Sequence, residues 1–331
     1  MNIFFILALL ALLAWSGSDI FSKVGTQNND KNSHWKVVFA VGLIMGLHFA
    51  ITLIGAAVID STVGIEALEA TNGGKILASL FYTDFVFMDF VRYLPVAALY
   101  ILAMVFGYIG LRYIELSISS PICNCSGALA FVLCLIFGIE SIEDVSPMTF
   151  VAVGLITVGI VALGFVENME DEEVKKARQE KANRKYAKSL LAFLLPIAYL
   201  IIDALGTYGD ELIFSIEGPT GEGIITDYAA NSAFELTFFL VAIFAFFWIK
   251  LVKKDSVFSG NKFFYFGAVC ETIGQVFYMA VMFSDNEPFM VIISAYCALS
   301  VLWGRIFLKE KLSWKHYAAI ATAFAGIVML G

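Results

Sequence analysis

Two acidic residues recur at matching places in two apolar stretches of the 331-residue chain. Asp19 follows Trp15 by four positions, and Asp203 follows Tyr199 by the same spacing. A carboxylate inside an apolar helix is costly, so each acid is a candidate functional group by default. Such a group can bind and release a proton or pair with a cationic substrate group, and a neighbouring aromatic ring can contact the same cation. The alternative for Asp19 is a local pair with Lys23, one helical turn on.

Two further acids and a histidine lie inside apolar stretches. Glu271 has Gln275 four positions later, which gives a polar stripe along one helix face, and Glu235 has Asn231 four positions earlier. The alternative for both acids is a satisfied hydrogen bond between helices. His48 is a candidate proton relay, although a lone histidine in such a place is more often a neutral, packed donor.

Hydroxyl and amide side chains concentrate in two other apolar stretches: Ser119, Ser120, Asn124 and Ser126, then Ser294, Tyr296 and Ser300. Runs of this kind can line a hydrated cavity or hold helices together, and the pattern alone does not separate these roles. We take Asn124 and Tyr296 as the candidates for a substrate or ion pathway. Trp15 and Tyr199 have core packing as their alternative role.

The composition excludes an ordinary water-soluble fold. Hydrophobic residues make up 60% of the chain, charged residues only 15%, and the mean hydropathy is +0.83. A soluble domain has about 45–50% apolar and about 25% charged residues, so we expect a lipid bilayer around this chain. The cysteines lack the spacing of a metal or redox site, and no clustered basic face indicates nucleic acid. We therefore expect no metal, no cofactor and no nucleic-acid partner.

Ten stretches are long and apolar enough to cross about 30 Å of hydrocarbon. The sequence predicts them at 2–24, 35–58, 94–113, 117–139, 147–166, 190–214, 228–251, 263–283, 288–307 and 314–330. The expected fold is therefore an all-α integral membrane protein. Residues 59–92 form a long acidic connection with an aromatic patch, and residues 167–189 form a charged, helix-prone cytoplasmic linker.

The basic residues divide sharply between the two sides of this arrangement. Nineteen of the 21 Lys and Arg residues lie in, or within three residues of, connections that follow odd-numbered stretches, and only Lys75 and Arg92 lie in the others. Basic connections stay in the cytoplasm, which predicts both termini outside. Five stretches per half is an odd number, so two related halves, 1–166 and 190–331, would cross in opposite senses. We therefore expect two inverted five-helix repeats, as in many alternating-access carriers.

Segments in both halves resemble a known family. They are residues 112–117 (Arg-Tyr-Ile-Glu-Leu-Ser), running into Ser120-Pro121 and 127–129, and residues 308–313 (Leu-Lys-Glu-Lys-Leu-Ser), followed by 326–328. With these segments the chain resembles the EamA branch of the drug/metabolite transporter superfamily. The resemblance implies ten helices, with a central cavity lined by helices 1–4 and 6–9 and with helices 5 and 10 peripheral. It also implies cytoplasmic termini, opposite to the charge count, and a shorter connection than 59–92.

The predicted function is secondary transport of a small polar metabolite or drug-like solute by alternating access. The acids favour an amine-bearing substrate and raise proton coupling as a hypothesis. No Walker motif indicates ATP-driven transport. The alternatives are a membrane-embedded enzyme, which the absence of clustered His and Asp disfavours, and a non-transporting sensor or assembly factor. We expect a multi-pass protein of the plasma (inner) membrane that is not an enzyme, and we leave a homodimer open.

Overall fold

The computed structural model of the protein describes residues 3–26, 30–139, 141, 143, 145–181, 189–218, 223–258, 261–282, 293 and 295–330. Every regular element in these ranges is a helix. The helices are α1 (Ile3–Gly25), α2 (Ser33–Thr62), α3 (Ile65–Glu69), α4 (Asn72–Phe81), α5 (Phe87–Gly110), α6 (Leu116–Cys123), α7 (Ser126–Phe137), α8 (Pro147–Met169), α9 (Glu172–Lys181), α10 (Ser189–Phe214), α11 (Asp227–Phe247, continued by a π-helical turn over Trp248–Val252), α12 (Phe263–Met282), α13 (Tyr296–Ile306) and α14 (Trp314–Leu330).

Eight helical segments in the described ranges are long and apolar enough to cross a membrane. They are α1, α2, α5, α6 together with α7, α8, α10, α11 and α12. Their outward faces carry large apolar side chains such as Ile54, which is 68% exposed and suits contact with lipid. The chain is therefore an all-α, multi-pass membrane protein. The predicted stretch 288–307 begins outside the described residues, and its described part forms the 11-residue α13. Helix α14 has 17 residues.

One predicted boundary is wrong. Helix α5 begins at Phe87 and not at residue 94, because the Asp89 carboxylate accepts a hydrogen bond from the Val86 amide (2.9 Å) and starts the helix seven residues earlier. The long connection before α5 also contains the two short helices α3 and α4. The predicted stretch 117–139 corresponds to one membrane-crossing segment, Leu116–Phe137. A turn at Asn124 and Cys125 divides this segment into α6 and α7.

The long helices pack chiefly in four pairs: α1 with α12, α2 with α11, α5 with α10, and α8 with α14. Further contacts join α11 to α5 and α12 to α2. Helix α13 contacts α1 and α6, and α10 contacts α6 and α7. These pairs join the first part of the chain to the second, so the two predicted halves interlock along their lengths.

Two of these pairs share the same close approach of an aromatic ring to a glycine. A Cβ added at Gly274 in α12 would stand 2.4 Å from Cδ1 of Trp15 in α1. A Cβ added at Gly107 in α5 would stand 2.9 Å from Cδ2 of Tyr199 in α10. The two rings lie 184 positions apart in the sequence, and the two glycines lie 167 apart. Only glycine permits either contact.

The α8–α14 pair also contains a contact that occurs twice. A Cβ added at Gly159 would stand 2.5 Å from the Ala323 nitrogen, and one at Gly326 would stand 2.7 Å from Cγ1 of Ile156. Adding 167 to positions 156 and 159 gives 323 and 326, so each contact is the counterpart of the other. Small residues at such crossings let membrane helices approach closely.

Candidate functional site

A cavity of about 740 Å³ lies between the helices. Its wall includes residues of α1, α2, α5, α6, α7, α10, α11, α12 and α13, and none of the described residues of α8 or α14 contributes. Pockets of about 300–1,000 Å³ commonly hold small-molecule ligands. Six acidic residues line this one: Asp19, Asp203, Asp210, Glu211, Asp227 and Glu271.

Asp19 lies in α1, where hydroxyl groups from two other helices meet it. The Ser120 hydroxyl of α6 and the Ser300 hydroxyl of α13 each donate a hydrogen bond to Asp19 Oδ2 at 2.6 Å. The local alternative for this acid, a pair with Lys23, is not what the structure contains. Lys23 Nζ instead donates to the carbonyl oxygens of Leu111 and Ile114. The Asp19 carboxylate is therefore held at a junction of three helices with no cation from its own helix.

Asp203 and Asp210 lie seven residues apart on α10, and both line the cavity. The Ser126 hydroxyl donates to Asp203 Oδ2 at 2.6 Å. The Tyr93 and Tyr100 hydroxyls donate to Asp210 at 2.8 and 3.4 Å. Two helical turns separate the acids by about 10 Å along the helix axis and bring them back to nearly the same face. One face of α10 therefore presents two carboxylates at different depths.

The predicted polar stripe on α12 also faces the cavity. Glu271 and Gln275 both line it, and the Ser18 hydroxyl of α1 donates a hydrogen bond to Glu271. The Gln275 amide donates to the side-chain oxygen of Asn231 in α11 at 3.2 Å. This part of the wall thus combines an acid with amide groups that can both donate and accept hydrogen bonds.

Aromatic rings surround the acids. The Trp15 ring lies 5.3 Å from the Tyr278 ring and 5.7 Å from the Tyr296 ring, measured between centroids. Tyr199 and Tyr100 line the same cavity from α10 and α5. Aromatic faces beside carboxylates provide cation–π contacts and a surface for apolar parts of a ligand.

Three polar atoms in the wall have no hydrogen-bond partner among the described residues. They are the indole nitrogen of Trp15, the Ser22 hydroxyl and the Tyr108 hydroxyl. Ser22 is 1% exposed and Tyr108 is 7% exposed. Leaving a buried polar group unpaired is costly, so partners from a bound ligand or from water would stabilise this wall.

The charge of the cavity is one-sided. Its described lining residues include no Lys, Arg or His. In the part of the chain that the structure describes, no basic side chain lies within 4 Å of a carboxylate oxygen of Asp19, Asp203, Asp210, Asp227 or Glu271. Uncompensated buried carboxylates are unfavourable unless they bind protons or a cation. Bound protons or a bound cation would therefore stabilise this wall.

Eight of the ten predicted candidates line this cavity: Asp19, Asp203, Glu271, Trp15, Tyr199, Asn124, Gln275 and Tyr296. The other two do not line it and contact each other. His48 Nδ1 lies 2.7 Å from Glu235 Oε1, and His48 Nε2 lies 3.2 Å from the Leu80 carbonyl oxygen. Glu235 also accepts a hydrogen bond from Asn231 at 3.4 Å. These two candidates form a buried pair between α2 and α11, behind the cavity wall.

Several residues of the site were missed at the sequence level. Asp210 carries a usable signal, because it lies two helical turns after Asp203 on the same face. Asp227 lies one residue before the predicted stretch 228–251, but it begins α11 and lines the cavity. Tyr93 and Tyr100, which donate to Asp210, follow no motif, and their role depends on how α5 packs against α10.

Polar contacts join the helices at the end of the cavity near the linker. Leu111 and Leu116 line this end, and the Lys23 ammonium group binds the carbonyl groups of Leu111 and Ile114. The Glu310 carboxylate accepts hydrogen bonds from the Leu116 amide at 3.0 Å and from the Ser117 amide at 2.9 Å. At the opposite end, the lining residue Glu211 is exposed.

The linker helix α9 is attached to the bundle through Arg178. Its guanidinium donates to Glu115 at 2.8 Å, to Glu170 at 2.5 Å and to Glu167 at 3.1 Å. Burial lowers the pKa of Arg178, but the three carboxylates raise it by more than burial lowers it. The pKa of Arg178 therefore lies above the ordinary value for arginine. Glu167, Glu170 and His316 are placed closely enough to hold a metal ion. Arg178 already supplies a positive charge to both of these glutamates.

No protein-family model matches the chain, and no curated protein matches it. The cavity and its helices are therefore the basis for assigning a function.

Proposed function

We propose that the protein is a secondary transporter that moves a small, amine-bearing polar solute across the membrane by alternating access. The observation that carries this proposal is the cavity among membrane-crossing helices, lined by six acidic residues and, in its described part, by no basic residue. An ammonium group offsets a buried carboxylate directly and donates up to three hydrogen bonds to it. A phosphate or carboxylate substrate would meet repulsion from the same wall.

Repeated contacts support the two inverted five-helix repeats, 1–166 and 190–331, that alternating access would use. Exchanging Trp15 for Tyr199 and Gly274 for Gly107 converts the α1–α12 contact into the α10–α5 contact. A residue of the first half and its equivalent in the second half are 184 positions apart when the first-half residue precedes the connection 59–92. They are 167 positions apart when it follows that connection. The difference, 17, equals the length of the segment 65–81 that holds α3 and α4. That segment is then an insertion in the first half.

A second pair of contacts obeys the same offsets. The Ser22 hydroxyl lies beside Gly267, where an added Cβ would be 2.6 Å away, and the Tyr100 ring lies beside Gly206, where an added Cβ would be 3.0 Å away. Position 22 corresponds to 206, and position 267 corresponds to 100. With α13 and α14 counted as the last two crossings, each repeat has five. Repeats of this kind rock against each other around a shared site.

The polar contacts at the linker end support a carrier that alternates between two states. Opening to the linker side would require Lys23 to release the carbonyl groups of Leu111 and Ile114, and Glu310 to release the start of α6. Both contacts are charge-assisted hydrogen bonds, which are stronger than neutral ones. They can stabilise one conformation of the carrier and still break when the conformation changes. We also propose that the chain is related to the EamA branch and that it lies in the plasma (inner) membrane.

Transport by purified protein in liposomes tests this function. Radiolabelled small amines should enter protein-containing liposomes faster than empty ones, with saturation at high concentration. A pH gradient across the liposome membrane, in either direction, should change the initial rate of amine uptake if the cavity acids also carry protons. Equal rates with and without the gradient would remove proton coupling and leave transport intact. No saturable amine uptake under either condition would overturn the proposed function.

A further inference from the structure

We propose that the cavity binds a linear diamine with four or five carbons between its nitrogens, one ammonium group on Asp203 and the other on Asp210. This inference rests on the proposed function and names its substrate class. Asp203 and Asp210 lie on one face of α10 and both line the cavity. Neither acid has a basic partner within 4 Å in the described part of the chain.

The length of the ligand follows from the helix. Seven residues at 1.5 Å per residue separate the two acids by about 10 Å along the axis. A charge-assisted hydrogen bond from an ammonium nitrogen to a carboxylate takes about 2.8 Å at each end. If both nitrogens lie on the line between the two acids, about 5 Å is left between them, and angled carboxylates leave somewhat more. An extended chain with bonds near 1.5 Å advances about 1.25 Å per bond, so four or five carbons place the nitrogens about 6–7.5 Å apart. Three carbons place the nitrogens about 5 Å apart, which fits only the fully collinear arrangement, and eight would have to fold.

Each acid keeps the capacity to receive an ammonium group. Asp203 accepts one hydrogen bond, from the Ser126 hydroxyl, and Asp210 accepts from the Tyr93 and Tyr100 hydroxyls. An ionised carboxylate has about four acceptor sites. The existing donors are all neutral, so they orient the carboxylates without neutralising them.

The surface between the acids suits a hydrocarbon chain. Gly206 and Thr207 occupy the same face of α10 between Asp203 and Asp210. The Tyr100 ring lies directly over Gly206, where an added Cβ would be 3.0 Å from Tyr100 Cδ1. The Thr207 hydroxyl donates to the backbone carbonyl of Asp203 at 3.1 Å, so it does not demand a polar partner from the ligand. An aromatic face between two charge sites favours methylene groups.

A second feature of the cavity indicates a polar ligand independently of its acids. The Tyr108 hydroxyl and the Ser22 hydroxyl are buried in the same wall without a partner among the described residues. Acids alone could be satisfied by protons or by small inorganic cations. Unpaired hydroxyl groups within a cavity of about 740 Å³ fit an organic cation and the water molecules that accompany it.

A chain-length series tests the inference on detergent-purified, full-length protein. Unbranched α,ω-diamines with three to eight carbons are titrated by calorimetry, each beside the monoamine of equal carbon number. We expect affinity to peak at 1,4-diaminobutane or 1,5-diaminopentane. At the peak, the diamine should bind about tenfold to a hundredfold more tightly than its monoamine, as expected for one added charged hydrogen-bonding pair.

Asp210→Asn is the informative variant, with Asp60→Asn as its matched control. Asparagine keeps an acceptor for Tyr93 and Tyr100 but removes the charge, whereas Asp60 is exposed at the end of α2, outside the cavity. In Asp210→Asn the diamine should fall to within about threefold of its monoamine, and monoamine affinity should stay unchanged. Asp60→Asn should reproduce the wild-type series. A symmetrical size-exclusion profile for each variant confirms that it is folded.

The outcomes separate this inference from the function on which it rests. A peak at four or five carbons that disappears in Asp210→Asn supports it. Amine binding that is independent of diamine length, or that Asp210→Asn weakens equally for diamines and monoamines, overturns the diamine assignment and leaves amine transport standing. Binding of no amine at all overturns both.

Discussion

The indole of Trp15 lies so close to Gly274 that a Cβ added there would stand 2.4 Å from Trp15 Cδ1. The same relationship joins Tyr199 to Gly107 in the other half of the bundle. Both rings also line the cavity, so the packing of α1 on α12 and of α10 on α5 sets the position of its aromatic wall. Each ring precedes an acid, Asp19 or Asp203, by about one helical turn.

Gly274→Ala should displace Trp15 and destabilise the protein. Overpacking a close helix crossing costs about 1–3 kcal/mol, so the thermal midpoint in detergent should fall. Gly127→Ala is the matched control, because a Cβ at Gly127 meets nothing within 4 Å and alanine is the better helix former by about 1 kcal/mol. Equal midpoints for the two variants would contradict the close approach. Amine affinity should also weaken in Gly274→Ala and stay unchanged in Gly127→Ala.

Cys123 provides a native chemical probe of the cavity. It lines the cavity together with Asp19 and Asp203, whereas Cys270 does not line it and is also only partly buried. A saturating small amine should slow alkylation of Cys123 by N-ethylmaleimide several-fold, because the bound ligand blocks access to the thiol. Alkylation of Cys270 should be unaffected. Mass spectrometry of peptides over a time course measures both rates. Equal protection of the two cysteines, or none at Cys123, would place the amine elsewhere.

Arg178→Gln should detach the linker helix. Removing the cation shared by Glu115, Glu167 and Glu170 takes an ion-pair partner from each carboxylate, which costs about 3–5 kcal/mol. Lys176→Gln removes the same charge from an exposed position on α9 and should change the stability by less than about 0.5 kcal/mol. Denaturation in detergent compares the two, and matching shifts would show that the Arg178 contacts contribute nothing.

The Arg178 contribution should not depend on pH over the range in which the protein is handled. The three carboxylates raise the pKa of Arg178 above an already very basic value. A group with a raised folded-state pKa stabilises the protein below its unfolded-state pKa and loses this effect only as the pH rises through the folded-state value. The difference between wild type and Arg178→Gln should therefore be constant from neutral pH to about pH 10, measured by thermal midpoints.

Hydropathy was enough to predict the class of fold and three of the six acids that line the cavity: Asp19, Asp203 and Glu271. Trp15, Asp19, Tyr199 and Asp203 could be recognised because polar and aromatic groups in apolar helices stand out from their surroundings. Hydropathy specifies that a helix crosses the membrane, but it says little about which side of the helix faces the centre. Asp210 was missed for this reason, although it repeats the face of Asp203 after two turns.

The contact between Glu235 and His48 could not be predicted from the sequence around either residue. Their contact joins residues 187 positions apart and is set by the crossing of α2 and α11. Each looked like an isolated ionisable group in its own helix. The turn between α6 and α7 at Asn124 and Cys125 was missed as well, since the residues on both sides are apolar and the stretch reads as one continuous span.

The most direct test of the account is amine uptake by liposomes containing Asp203→Asn, compared with wild type and Asp60→Asn at equal protein content. The substrate is the small amine that wild type transports fastest. Removing a carboxylate that receives the ammonium group should lower the initial rate at subsaturating concentration by about tenfold or more, while Asp60→Asn keeps the wild-type rate. Uptake by folded Asp203→Asn at the wild-type rate would contradict the central claim that the acids of this cavity bind the transported amine.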